Sequence, residues 1–165
     1  MANFSFDIES TLDKAELNNV FDQVKRDITS RYDFKDTPAA IDWLDEDKSG
    51  FKITGNSEYQ LEAIIQLIRV TLGKRNQSQK LLDVTQDPIN SNLKVIQMVP
   101  FIQGLDQTKT KEVSKLLRDF NPKLKVSIQG QTLRVVSGSK DDLQKAMQTV
   151  RSKDLAYPIQ FTNFH

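Results

Sequence analysis

Several residue types that build catalytic, metal and redox sites are scarce in this chain of 165 residues. It contains no cysteine, which excludes disulfide bridges, thiolate metal ligands and a cysteine nucleophile. The only histidine is His165, which excludes histidine metal clusters and argues against a Ser-His-Asp triad. No apolar run approaches the roughly 20 residues of a membrane helix. We therefore expect no catalytic residues, no metal site, no cofactor and no membrane partner.

Glycine is also sparse, and every glycine stands alone. A P-loop or a dinucleotide fingerprint needs several glycines close together, so both are excluded and a triphosphate-hydrolysing enzyme is not expected. Carboxylates do occur in runs, but Asp141-Asp142 falls in the first turn of a predicted helix and Asp45-Glu46-Asp47 in a predicted turn. Both settings favour structural roles for acidic side chains. The sequence predicts a protein that is not an enzyme.

What remains is an ordinary globular composition, with 38% hydrophobic and 27% charged residues. Such values exclude a disordered chain, and the length fits one domain or two small ones. The first seven residues, MANFSFD, lack the basic and then apolar stretch of a secretory signal. We expect a cytoplasmic location.

Charge is distributed unevenly along the chain. Residues 1–88 contain 11 Lys+Arg and 16 Asp+Glu, a net charge of −5, whereas residues 89–165 contain 12 and 6, a net charge of +6. The basic half is the better candidate for an anionic partner. The alternative is that opposite charges help the two halves to pack together.

An internal repeat indicates how the chain is organised. Phe51–Ile68 aligns without a gap on Leu133–Val150, 82 positions later. In both segments a short alternating apolar run meets a glycine and a serine, and helix-spaced apolar residues follow. Because the period changes from two to 3.6 at the same place, each unit contains a strand that leads into a helix.

The periodicity predicts the same element order in both halves: strand, helix, strand, strand, helix, strand. In the first half, possible capping boxes at Asp13/Glu16 and Ser57/Gln60 open the helices, the first of which extends to Tyr32. Leu81–Thr85 is the predicted closing strand, and Gln86–Leu93 is the predicted linker. Pro100 lies in a strand that would be central, so we expect a bulge or a displaced pairing there.

This order is typical of an α+β fold with two tandem ferredoxin-like domains, each with an antiparallel sheet. The predicted domains are residues 1–88, acidic, and residues 89–165, basic. As an alternative, the terminal strands Phe4–Ile8 and Ile159–Phe164 exchange sheets between the two domains.

The predicted binding surface is the sheet face that the helices leave open in the second domain. Strand alternation turns Leu133 and Val135 towards the helices and places Lys125, Gln129 and Arg134 on the open face. The last strand contributes either Gln160, Thr162 and Phe164 or Ile159, Phe161 and Asn163. Cations suit phosphate and amides suit base edges, so this face predicts nucleotide binding. The alternative is an ordinary solvated sheet face.

A second group of cations and aromatics follows the ends of the two predicted helices of the first domain. It comprises Arg31, Tyr32, Phe34, Lys74 and Arg75. A basic residue at a helix C-terminus also complements the helix dipole, and Tyr32 continues a buried stripe. These five residues are secondary site candidates.

Six short motifs carry a resemblance to a known family, in order and at its spacing. They are Ser5–Ile8, Arg31–Phe34, Ser57–Leu61, Ile128–Gly130, Asp141–Gln144 and Gln160–Phe164. Over nearly its whole length the chain resembles the bacterial YajQ family. The resemblance implies a cytosolic nucleotide-binding protein with two ferredoxin-like domains. It also implies nucleotide or RNA binding and, from some members, cyclic di-GMP sensing with a transcription regulator as partner.

The chain departs from the family pattern at Asn76, where glycine is usual, at Gly138, which replaces a cation, and at His165, which replaces an arginine. Our leading hypothesis assigns GTP, ATP or cyclic di-GMP binding to Lys125, Gln129, Arg134, Lys140, Gln160 and Asn163. Phosphate would meet the cations Lys125, Arg134 and Lys140. RNA binding, or an adaptor role towards a transcription regulator, is the alternative.

Overall fold

The computed structural model describes residues 3–165 and divides them into two compact units. One unit is continuous, Leu12–Ile102, and we call it the inserted unit. The other combines residues 3–11 with Gln103–His165, and we call it the split unit. This division differs from the predicted boundary between residues 88 and 89. Two strands that follow that boundary, at residues 89–91 and 94–100, pair within the inserted unit.

Four α-helices and eight strands account for the regular structure of the described residues. In chain order they are β1 (Phe4–Glu9), α1 (Lys14–Ser30), β2 (Ala40–Trp43), β3 (Gly50–Gly55), α2 (Glu58–Lys74), β4 (Ile89–Ser91), β5 (Lys94–Pro100), α3 (Gln107–Phe120), β6 (Lys125–Gln129), β7 (Thr132–Ser137), α4 (Lys140–Ser152) and β8 (Gln160–Thr162). Short 3₁₀ helices lie at Tyr32–Phe34 and Gln79–Leu81.

Each unit contains one four-stranded antiparallel sheet. The split unit has the strand order β6-β7-β1-β8, and the inserted unit has β2-β3-β5-β4. The predicted ferredoxin-like α+β architecture is confirmed. The N-terminal strand β1 lies in the split unit, where it pairs with β7 and β8, and β5 occupies the corresponding central position in the inserted unit. Of the two terminal strands considered for exchange, β1 joins the sheet of the second half of the chain, and β8 stays in that same sheet.

The predicted closing strand Leu81–Thr85 is wrong. That segment begins with the end of a 3₁₀ helix and contributes a single bridge from Leu82 to Phe101. The edge strand is instead β4, which lies inside the predicted linker. A tight hairpin joins β4 to β5 through Asn92 and Leu93, both of which have positive φ.

The bulge expected at Pro100 is absent, because β5 pairs with β3 in continuous register from Val95 to Pro100. The amide of Phe101 donates to Ser49 O on the β3 side, so the nitrogen of Pro100 points away from β3. On that other side β4 ends opposite Ile96, and Pro100 faces residues 81–83, where its carbonyl accepts from the Asp83 amide at 2.9 Å and its nitrogen cannot donate in return.

The 82-residue repeat corresponds to equivalent elements. Strand β3 and helix α2 begin at Gly50 and Glu58, and β7 and α4 begin 82 residues later, at Thr132 and Lys140. Tyr32 departs from the predicted pattern. Helix α1 ends at Ser30, and Tyr32 is 89% exposed in the following 3₁₀ turn, whereas Phe34 is buried.

The observed units reduce the charge contrast that the sequence suggested. The inserted unit contains 12 Lys+Arg and 14 Asp+Glu, a net charge of −2, and the remaining residues contain 11 and 8, a net charge of +3. The contrast shrinks mainly because the acidic strand β1 belongs to the more basic unit. Among residues 3–165, no helix combines the length and apolarity needed to cross a membrane.

Candidate functional site

An ion pair joins the two central strands of the split unit on the face away from its helices. Arg134 Nε donates to Asp7 Oδ1 at 3.0 Å, and Arg134 Nη2 donates to Asp7 Oδ2 at 3.4 Å. Asn163 Nδ2 adds a third contact to Asp7 Oδ2, at 2.9 Å. The Asp7 side chain is 10% exposed, and that of Arg134 is 38% exposed. We call these three residues the Asp7 cluster.

The backbone explains why the cluster forms here. Asp7 and Arg134 are directly paired in the register of β1 and β7, so their side chains leave the same face of the sheet. Asn163 follows β8 and has a φ of 56°, a left-handed conformation that asparagine tolerates better than most residues. Its turn brings the amide to Asp7 rather than continuing the strand.

Electrostatics favour the ionised form of the Asp7 carboxyl. The Arg134 guanidinium lowers the pKa of Asp7 below its usual range, and the Asn163 amide acts in the same direction, although burial opposes both. In return, the Asp7 carboxylate raises the pKa of Arg134. The cluster therefore contains a fixed ion pair with a partly exposed guanidinium.

The last residue of the chain contacts the cluster from one side. His165 Nε2 lies 2.9 Å from Asn163 Oδ1. The backbones of Ser5 and His165 exchange two hydrogen bonds, at 3.0 and 2.9 Å. These contacts fix residues 163–165 alongside β1.

The register brings several of the predicted site residues to one face. Lys125 pairs with Val136, Ser127 with Arg134, and Gln129 with Thr132, so alternate residues of β6 lie on the face of the Asp7 cluster. Lys125 and Gln129 are exposed. Together with the Asp7 cluster they form what we call the polar sheet face, defined by Asp7, Lys125, Gln129, Arg134 and Asn163.

Two other predicted site residues are less available: Gln160 is already hydrogen-bonded, and Lys140 lies on the other side of the sheet. Gln160 shares the face, but its side-chain amide bonds the backbone of Thr11 in both directions, at 2.9 and 3.2 Å. Lys140 begins helix α4, and its Nζ lies 5.1 Å from the centroid of the Phe4 ring. Phe4 is out of phase with Asp7 in β1, so Lys140 lies on the helix side of the sheet.

The five secondary candidates do not form one site. Arg31 pairs with Asp33 at 2.8 Å and stacks 4.5 Å from the Phe34 ring centre, at the C-terminal end of α1. Arg75 pairs with Glu16 at 2.7 Å, in the first turn of the same helix. A rise of 1.5 Å per residue places these two ends roughly 22 Å apart. Lys74 is exposed beside Arg75.

The inserted unit contains a different kind of cavity, a groove of about 690 Å³ between α2 and residues 84–88. Its charged lining is mainly acidic, from Glu58, Glu62 and Asp87, with Arg69 as the cation. Such a lining is poorly suited to phosphate. Within residues 3–165 no cluster of three or more His, Cys, Asp or Glu side chains is arranged to bind a metal ion.

Asp7 is the residue that sequence reasoning missed. Its position between Phe6 and Ile8 marks it as outward-facing, but the chain order assigned β1 to the first domain. The partner of Asp7 is Arg134, 127 residues away. Only the strand pairing shows that the two meet.

Comparison with known proteins finds similarity over nearly the whole described chain. The family model for the nucleotide-binding protein YajQ-like family matches residues 4–165. A nucleotide-binding protein of Nostoc punctiforme is 40% identical over 163 residues, which cover 99% of this chain and 98% of that protein. One of Prochlorococcus marinus subsp. pastoris is 43% identical over 164 residues, covering 98% of each. The chain belongs to the YajQ-like family of nucleotide-binding proteins.

Proposed function

We propose that this protein binds a nucleotide on the polar sheet face and performs no chemistry on it. The observation that carries the proposal is the Asp7 cluster, which fixes a partly exposed guanidinium on an open face of the sheet. The names of the relatives, which describe nucleotide-binding proteins, support the same function. No reaction appears in those names.

The cluster suits phosphate because the guanidinium is both charged and oriented. Asp7 occupies only part of the Arg134 fork, and the remaining N–H groups can donate to phosphate oxygens. The Asp7 carboxylate also repels an anion, so exposed Lys125 is needed to make the face attractive to one. Asp7 is therefore a positioning residue in this proposal, and Arg134 is the contact.

Amides on the same face supply the groups that base edges need. Gln129 carries a donor and an acceptor group that can contact a purine, and Asn163 can add the second N–H and the second lone pair that its contacts to Asp7 and His165 leave over. Lys140 and Gln160 have weaker roles than the sequence suggested, because Lys140 lies on the helix side and the amide of Gln160 is engaged with Thr11. GTP, ATP and cyclic di-GMP all remain ligands to test.

Calorimetric titration with GTP, ATP and cyclic di-GMP tests the site. We expect Arg134→Ala to weaken binding of the favoured nucleotide by about tenfold or more, equivalent to 1.4 kcal/mol or more. Arg118→Ala is the matched control, because it removes the same charge from an exposed position in the same unit. Equal affinity of Arg134→Ala and the parent, with both proteins folded by circular dichroism, would contradict the assignment.

RNA is the second candidate because the split unit carries a run of exposed cations outside the sheet face. Lys111, Lys115 and Arg118 recur at i, i+4 and i+7 on α3, and Lys123 follows. Several phosphates bound in this way release several counterions, so RNA affinity should fall steeply with salt, whereas affinity for one nucleotide should fall gently. Arg118→Ala then becomes the informative variant. A transcription regulator as partner stays a prediction from the resemblance.

A further inference from the structure

The helix side of the split unit contains a groove that the polar sheet face does not use. It encloses about 310 Å³ between the N-terminal half of α4, strand β1 and residues 164–165. That volume lies at the lower end of the range for small-molecule sites. Its lining residues are Phe4, Ser5, Phe6, Lys140, Leu143, Gln144, Met147, Phe164 and His165.

The walls of the groove are largely apolar and aromatic. Phe6 is fully buried, and the ring of Phe164 stacks on it with centroids 6.3 Å apart and planes 28° apart. Phe164 nevertheless remains 59% exposed. Leu143 and Met147 complete the wall from α4. An aromatic ring that is anchored by stacking yet largely exposed offers a surface on which a second planar ring can stack.

None of the side chains that line the groove is acidic, and Lys140 is the cation among them. The helix residues that line it, at positions 140, 143, 144 and 147, follow helical spacing on one face, and Lys140 alone among them is charged. Asp141 points away and pairs with Lys145 at 3.1 Å. Lys140 lies over the Phe4 ring at 5.1 Å and, among residues 3–165, forms no ion pair.

Hydrogen bonds along the edges of the groove fix its shape. Residues 163–165 are attached to β1 by the Ser5–His165 backbone pair and by the bond from Asn163 to Asp7. Ser139 caps α4 by accepting from the Asp142 amide at 3.2 Å, which fixes the first turn that carries Lys140. A ligand would therefore meet a formed wall and a positioned cation.

We propose that this groove binds a small aromatic anion, with its planar ring against Phe164 and Met147 and its negative group at Lys140. Charge complementarity selects an anion, and the exposed aromatic wall selects a flat apolar body over a chain or a sugar. The volume limits the ligand to one or two fused rings. This site is separate from the nucleotide site and does not depend on it.

Methionine methyl groups give a direct test. Met147 lines the groove, whereas Met98 lies on β5 in the inserted unit, so a protein labelled with ¹³C-methyl methionine carries a reporter and an internal control. The probe is 2-naphthoate. We expect a saturable ring-current shift of the Met147 methyl signal and no shift of Met98. No change of Met147 at millimolar 2-naphthoate, or an equal change of both signals, would overturn the proposal.

Two further probes separate charge from shape. Cyclohexanecarboxylate has the anion without the planar ring, and 2-naphthalenemethanol has the ring without the charge. We expect both to bind more weakly than 2-naphthoate. Lys140→Gln should weaken 2-naphthoate binding by about threefold to fivefold, the range for a solvent-screened charge contact. It should leave binding of the alcohol unchanged.

Matched variants complete the design. Lys145→Gln removes the same charge from the side of α4 that turns away, and we expect unchanged 2-naphthoate binding. Equal weakening by Lys140→Gln and Lys145→Gln would contradict a specific contact. Arg134→Ala should retain the Met147 shift even if it loses nucleotide binding, so the two proposals fail independently. A Met147 shift caused by GTP but not by 2-naphthoate would overturn the aromatic-anion site.

Discussion

Asp7 and Arg134 stand opposite each other on the two central strands of one sheet, although 127 residues separate them in the chain, and they share two contacts of 3.0 and 3.4 Å. Asp7 is almost completely covered, so its charge depends on this partner. The pair therefore links the integrity of the split unit to the geometry of the proposed binding face.

Removing the arginine should cost stability as well as binding. Arg134→Ala leaves the covered Asp7 carboxylate with Asn163 as its remaining partner, and we expect the free energy of unfolding to fall by about 1–3 kcal/mol. Urea denaturation measures the change. Arg118→Ala, at an exposed position, should change the value by no more than about 0.5 kcal/mol. Equal effects of the two substitutions would show that the ion pair contributes nothing specific.

The Asp7 cluster should also make stability depend on pH in the acid range. Because folding lowers the pKa of Asp7, its stabilising contribution is fully present above the usual carboxyl pKa and is lost as pH falls through the lowered value. The difference in unfolding free energy between the parent and Asp7→Asn should therefore shrink below about pH 4. Chemical denaturation across pH 2–7 measures it. Asp87→Asn, which removes an exposed carboxylate, should show no comparable trend.

The β4–β5 hairpin contains a residue that its backbone disfavours. Leu93 has a φ of 66° and is 98% exposed, so it adopts a left-handed conformation without a packing contact to offset it. We expect Leu93→Gly to raise the free energy of unfolding by about 1 kcal/mol, because an Asn-Gly pair suits a two-residue hairpin turn. Leu93→Ala retains the Cβ and should give little gain. If alanine stabilises as much as glycine, exposure of the leucine is the cause instead.

Gly50 permits a close approach between β3 and β5. A Cβ at this position would lie 2.6 Å from Pro100 Cα and 2.6 Å from Val99 O, both of which are backbone atoms. Gly50→Ala should therefore force the strands apart and lower the free energy of unfolding by about 1–3 kcal/mol. At Gly138 a Cβ would meet nothing within 4 Å, so Gly138→Ala is the control. A small effect at Gly50 would mean that the two strands can shift freely.

Local chemistry in the sequence predicted the helix starts well. Asp13 accepts from the Glu16 amide and Ser57 from the Gln60 amide, as expected for N-caps. The reciprocal half of each capping box is absent. Glu16 instead pairs with the distant Arg75. Gln60 Oε1 accepts from the amide of Asn56, one residue before the cap, while its Nε2 donates to Thr37 Oγ1 at 3.2 Å.

One of the three departures from the family pattern, Asn76, has a local structural explanation. Asn76 has a φ of 58° after α2, and Gln77 N donates to Leu72 O at 2.8 Å, which is a Schellman turn. Asparagine is the residue that best replaces glycine in that conformation. Asn76 therefore maintains the helix end.

Strand pairing was the part that the sequence left open, because exchange of Phe4–Ile8 into the second sheet was predicted only as an alternative. Alternation in β1 identified an outward face and an inward face, but it contains no information on which sheet the strand joins. Ser5, Asp7 and their neighbours fit either unit by polarity. Asp7 consequently went unrecognised, and Arg134, Lys125 and Gln129 were placed on the correct face without their partner.

The division of the split unit has a consequence for folding during synthesis. The inserted unit contains all of its strands and helices within Leu12–Ile102, so it can close as soon as those residues are available. Strand β1 is made first but has no sheet until β7 exists. During that interval the acidic, alternating segment at residues 4–9 has no partner strand, and we expect its charges at Asp7 and Glu9 to disfavour pairing with a neighbouring chain.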